Sequence, residues 1–103
     1  MSLASDFSAV NDEHVRLAVL RLLDEQPNYS ANDSVLTQAV EAMGLACTRD
    51  QMRGHIQWLE SMRLVTAQQT MATLLVATLT ERGGDVAKGR SVISGVQRPS
   101  PRG

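Results

Sequence analysis

The chain has little of what most small-domain chemistries require. One cysteine, Cys47, among 103 residues excludes an intramolecular disulfide, and a reducing compartment is the natural expectation. Beside a helix start, Cys47 reads as a small buried hydrophobe, although a thiol in that position can also have a lowered pKa and sense redox state. Phe7, Tyr29 and Trp58 are the three aromatics, so the core must come from Leu, Val, Ile, Met and Ala, which favours small packed helices. No window approaches about 18 consecutive apolar residues, and no basic region followed by an apolar run opens the chain. Neither a membrane span nor an export signal is expected, and the expected location is cytoplasmic. His14 and His55 have no second ligand at helical spacing and Cys47 stands alone, so no metal site is expected. No Ser–His–Asp or Cys–His arrangement and no Gly-rich phosphate loop is recognisable. The chain therefore reads as a binding protein, not an enzyme, with no cofactor.

What is present is unevenly distributed charge. The formal net charge is −1. Residues 1–47 carry seven acids against Arg16 and Arg21, which is 2 − 7 = −5; residues 48–103 carry eight Lys or Arg against four acids, which is 8 − 4 = +4. The positive half opens at Thr48.

Taken in order, residues 1–10 read as a loose lead-in. Asn11 is a plausible N-cap for a first helix, whose broad apolar face runs from Val15 to Leu23 and which ends before Pro27. The connector at Asn28–Ser30 has room for a very short extended segment. Asn32 or Ser30 caps a second helix over Asp33 to Met43, with Val35, Leu36, Ala39, Val40 and Met43 as its apolar face and Gly44 as its stop. A tight apolar link leads to Thr48, which pairs with Gln51 as a capping box for a third helix. Met52, His55, Ile56, Leu59 and Met62 fall on one stripe of that helix; Asp50, Arg53, Gly54, Gln57 and Ser61 fall on the other. Leu64–Thr66 and Leu74–Leu79 then read as two strands of a hairpin with its tip around Gln69 to Ala72. Thr80 caps a short fourth helix from Glu81 to about Lys88, weakened by Gly83 and Gly84. Residues 90–103 form a basic tail containing Pro and Gly, with Val92, Ile93 and Val96 as docking points. The domain proper is 11–89.

The fold class expected from this order is mainly α with a small β-hairpin: a winged helix-turn-helix with a three-helix core, a two-stranded wing, a short C-terminal helix and a tail. The Trp58-Leu59 to Leu64-Val65 junction and the Leu79-Thr80-Glu81-Arg82-Gly83 step resemble small winged-helix regulators of the ArsR, MarR and PadR type. More closely, the chain resembles a family of short proteins encoded in Mu-like prophages. That match rests on Asn32-Asp33-Ser34, Thr48-Arg49-Asp50-Gln51, Trp58-Leu59, Ala77 to Gly83, Gly95-Val96 and Arg98-Pro99. The resemblance implies a phage or prophage transcriptional regulator that binds double-stranded DNA as a homodimer, with the third helix in the major groove. Arg53 would then read a guanine edge, and Gln57 an adenine edge or a phosphate. Thr48, Arg49 and the backbone N–H groups at the helix start would hold a phosphate, Asp50 would belong to the same DNA-binding face, and Gly54 would permit close approach. Between Val65 and Thr80 there is no Lys or Arg, so Lys88, Arg90, Arg98 and Arg102 would have to supply a flexible backbone-binding arm. The alternative is a winged helix that has kept the fold but serves as a protein-interaction or accessory module in phage replication or packaging, without specific DNA binding.

Overall fold

The computed structural model describes residues 2–70 and 72–100. Helix α1 (Leu3–Asp24) starts under Ser2, whose hydroxyl accepts from the Ser5 N–H at 3.2 Å. The expected start at Asn11 is thus displaced, and residues 3–10 are helical. They contain no Pro or Gly, and a helix already nucleated by packing elsewhere extends at little cost. Asn11 ties α1 to the link between the second and third helices instead: its Nδ2 donates to the Ala46 carbonyl at 2.8 Å and its Oδ1 accepts from the Ala46 N–H. The second half of α1 buries Val15, Leu17, Ala18, Val19, Leu20 and Leu23 and forms the spine of the core.

A three-residue strand β1 (Ser30–Asn32) follows, and Asn32 then caps α2 (Asp33–Ala42) by accepting from the Val35 N–H at 2.9 Å. Helix α2 buries Leu36 and Val40 together with Asp33; Val35 and Met43, expected on its apolar face, are exposed. Gly44, at φ +82°, ends the helix in the left-handed region as its type suggests. Helix α3 (Arg49–Ser61) carries the complete capping box: the Thr48 hydroxyl accepts from the Gln51 N–H, and the Gln51 amide oxygen accepts from the Thr48 N–H at 2.9 Å. Met52, His55, Ile56 and Leu59 are buried as the stripe requires. Each fully buried apolar side chain of this size contributes roughly 1.5–3 kcal/mol.

Strands β2 (Val65–Gln69) and β3 (Leu75–Leu79) form the hairpin, paired Val65 to Leu79 through Gln69 to Leu75. Its tip lies slightly later than expected, closed by the Thr70 N–H donating to the Leu74 carbonyl at 2.8 Å. The expected two-stranded wing is one edge of a three-stranded antiparallel sheet of order β1-β3-β2, because β1 pairs on the far side of β3, Ser30 to Thr78. Helix α4 (Glu81–Ala87) is capped by Thr80. Gly83 lets α4 lie directly on the chain entering β2, where any Cβ would collide with the Leu64 carbonyl oxygen. The described domain is therefore a mixed α/β unit of four helices and one antiparallel sheet. No helix among the described residues is long and apolar enough to cross a membrane.

Candidate nucleic-acid interface

The most concentrated polar chemistry sits where the start of α2, the first two turns of α3 and the hairpin tip meet. Asp33 is the first residue of α2, and its side chain has no solvent exposure. Its Oδ2 accepts from Arg49 Nε at 3.2 Å and from Arg53 Nη1 at 2.8 Å; its Oδ1 accepts from the backbone N–H groups of Leu75 and Ser34. Burial by itself would raise the Asp33 pKa. The hydrogen bond from Arg49, the Leu75 N–H, the Arg49 charge and the bond from Arg53 overcome it and hold the carboxyl below its ordinary value. Both guanidiniums also reach the hairpin tip, Arg49 Nη2 donating to the Thr73 carbonyl at 3.3 Å and Arg53 Nη1 at 3.0 Å, while Arg53 Nη2 donates to Gln69 Oε1 at 2.9 Å. One buried carboxylate thus fastens two helices and the hairpin together.

This changes what each expected site residue can do. Arg53 spends three of its five N–H groups inside the protein and is 28% exposed, so it is not free to present a bidentate fork to a guanine edge. Arg49 uses two of five, is 46% exposed, and keeps its remaining donors outward beside Asp50 and Thr73, around an open depression of about 290 Å³. Thr48 is engaged as the cap. Asp50, Gly54, Gln57 and Ser61 form an exposed strip along α3, and nothing lies within 4 Å of where a Cβ on Gly54 would stand.

The basic arm is not gathered at this face. Lys88 Nζ pairs with Asp24 at 3.2 Å, Arg90 approaches Asp85 at 3.9 Å, and exposed Arg98 lines an open depression with Lys88 and Gly89; Arg102 lies outside the described residues. The tail docks on the opposite side of α3. Val96 is buried, the Gln97 N–H donates to the Glu13 carbonyl at 3.1 Å, and Gly95, at φ +98°, lies against the Trp58 ring. Of the expected docking points, Ile93 packs on the core and Val92 stays exposed. Arg16 stacks over Trp58, 4.2 Å from the ring centroid, and donates from Nη1 to the Gly95 carbonyl and from Nε to His55 Nδ1. Accepting at Nδ1 makes His55 the Nε2–H tautomer, which faces Asp12 at 3.5 Å. Burial and then the Arg16 charge push the His55 pKa below its usual value against the pull of Asp12, so the ring is neutral at pH 7.

Cys47 is buried, and burial, Asp12 and Glu41 raise its pKa, the reverse of what a reactive thiol needs. Among the described residues no group of three metal-ligating side chains comes together. What sequence reasoning missed is Asp33. An acid in the first turn of a helix already has a local explanation in the helix dipole, so nothing in its spacing marks it as the partner of two arginines further along the chain.

No protein-family model matches the chain, and no solved structure does. Among curated proteins, a protein of Escherichia phage Mu described as uncharacterized protein gp26 is 44% identical over 96 residues, spanning 90% of this chain and 98% of the phage protein. A Haemophilus influenzae protein is 34% identical over 76 residues, 74% of each chain. The chain belongs to the family of this phage Mu protein.

Proposed function

We propose that this member of the phage Mu gp26 family is a winged-helix protein that binds double-stranded DNA with α3, as a phage or prophage transcriptional regulator. The element order α1-β1-α2-α3-β2-β3-α4 supports the winged-helix reading, with β1 closing the sheet behind the wing. The observation that carries the function is the open strip on α3, with the half-exposed Arg49 guanidinium at its start and clear space over Gly54. The roles differ from those first expected. Arg49, with help from the outward edge of Arg53, holds a phosphate at the helix start. Gln57 reads an adenine edge and Asp50 accepts from a cytosine amine. Two copies would read half-sites about 34 Å apart.

Fluorescence anisotropy against pooled phage DNA fragments, at low and moderate salt, tests this. Arg49→Ala should weaken binding to all fragments alike and reduce the salt slope by about one per copy. Gln57→Ala should lose about 1–3 kcal/mol of discrimination at one base pair. Absence of salt-sensitive binding at micromolar protein would overturn the proposal. It would favour the second reading, an accessory module of phage replication or packaging that binds protein, for which the specific observation is the hairpin: Thr66, Gln68 and Gln69 are exposed there and no cation stands between Val65 and Thr80.

A further inference from the structure

The first turns of α1 extend beyond the core with apolar side chains uncovered. Leu3, Phe7 and Val10 are 88%, 69% and 50% exposed, and they share one stripe of the helix. His14, Leu17 and Arg21 continue that stripe, at steps of four and three residues, the spacing of a coiled-coil seam. Around Leu17 the stripe enters an open groove of about 370 Å³, walled by Ala18 and Leu22 of α1 and by Met43 and Leu45 after α2. The same helix therefore carries an apolar ridge at its free end and an apolar groove at its rooted end.

We infer that two copies of this chain associate through α1, antiparallel about a two-fold axis near residue 12, each laying Leu3, Phe7 and Val10 into the groove of the other. Phe7 then faces Leu17 of the partner subunit, Val10 faces His14 of the partner subunit, and Leu3 meets the stem of Arg21 of the partner subunit. Ridge and groove belong to one surface, as a two-fold contact requires. Charge favours the antiparallel sense. Asp6 flanks the ridge and comes within a helical turn of Arg21 of the partner subunit, twice by symmetry; a parallel pair would set Asp6 against Asp6. Neither residue has an ion-pair partner in its own chain among the described residues. Covering the three ridge side chains and the groove in both copies removes on the order of 1,000 Å² from water, about the minimum for a specific interface. The pairing does not depend on DNA, so it stands or falls apart from the DNA-binding proposal.

Sedimentation equilibrium of the full chain without DNA, from about 1 to 100 µM, tests it. The wild type should be dimeric. Phe7→Glu, at a side chain exposed in the single chain, should raise the dimer dissociation constant about a hundredfold while circular dichroism still reports a cooperative melt. Asp6→Arg and Arg21→Asp should each weaken the dimer about three- to tenfold, and the two together should restore it. A wild-type monomer over that range, a dimer indifferent to Phe7→Glu, or a charge swap that recovers nothing would each overturn the inference.

Discussion

Asp33 offers the sharpest test of what holds α2, α3 and the hairpin together. Its carboxylate accepts four hydrogen bonds, from Arg49, Arg53, Leu75 and Ser34. Removing one member of a buried ion pair costs about 3–5 kcal/mol when the other charge is stranded. Here the guanidiniums are 46% and 28% exposed and can rehydrate, so the electrostatic share falls to about 1–2 kcal/mol. The Leu75 N–H cannot rehydrate in the same way, and leaving it unpaired adds about 1–2 kcal/mol. Asp33→Ala should therefore destabilise the domain by about 2–4 kcal/mol, and Asp33→Asn, which keeps an oxygen for Leu75, by about 1–2 kcal/mol. For a domain of this size the Ala variant should melt about 10–25 °C lower. Urea unfolding at pH 7, followed by circular dichroism, measures both variants, with the m-value as the check that the denatured state is unchanged. An Asp33→Ala variant within about 0.5 kcal/mol of wild type would show that the carboxylate is not the fastening point.

Two glycines should respond in opposite directions. Gly83→Ala should cost more than about 2 kcal/mol, since its Cβ meets the Leu64 backbone, whereas Gly54→Ala should gain up to about 1 kcal/mol of helix propensity in open space; thermal melts of the pair decide. Gly95→Ala would set a methyl 2.7 Å from the Trp58 ring at a positive φ, so it should undock the tail and shift Trp58 emission towards the red; unchanged emission would refute the contact. The lowered His55 pKa gives a signed pH dependence. Below about pH 6.5 the unfolded chain takes up a proton that the folded chain refuses, so stability is full above that pH and declines as pH falls towards the lower folded value. Urea midpoints between about pH 7.5 and 5 should fall in wild type and fall less in His55→Gln; stability that rises on acidification would contradict the buried neutral ring.

Local signals were legible where one segment decides its own structure. Thr48 with Gln51, Asn32, Thr80 and Gly44 mark helix ends by groups that satisfy or terminate a single turn, and all four do so in the structure. The buried stripe of α3 was equally readable, because Met52, Ile56 and Leu59 repeat at helical spacing. The failures involve partners distant along the chain. The very short extended segment expected at Asn28–Ser30 lies at Ser30–Asn32, but its place in the sheet is not legible, because three residues have no periodicity of their own and the strand exists by pairing with Thr78 and Val76. The early start of α1 is not legible in the sequence because its first turns face no core, and their apolar residues are too sparse to continue the pattern from Val15 onward. The exposed Val35 and Met43 show the converse, a stripe wide enough for a core that this small domain does not extend over them.

The split of charge between the two halves of the chain has a different meaning once the contacts are known. An acidic first half and a basic second half suggest a field directed at an external polyanion. Instead the halves neutralise each other in part: Asp33 takes Arg49 and Arg53, and Asp24 takes Lys88. The asymmetry is therefore consumed in part as long-range attraction within the fold, and what is left for a partner at α3 is a few outward donors on two arginines that already have a carboxylate. If α3 binds DNA as proposed, counterion release from so few free cations is small, and the affinity would rest on shape and hydrogen bonding along Asp50, Gly54 and Gln57. On the proposed function, neutral substitutions along that strip should therefore weaken DNA binding at every salt concentration, while a shallow salt dependence remains and rests on Arg49.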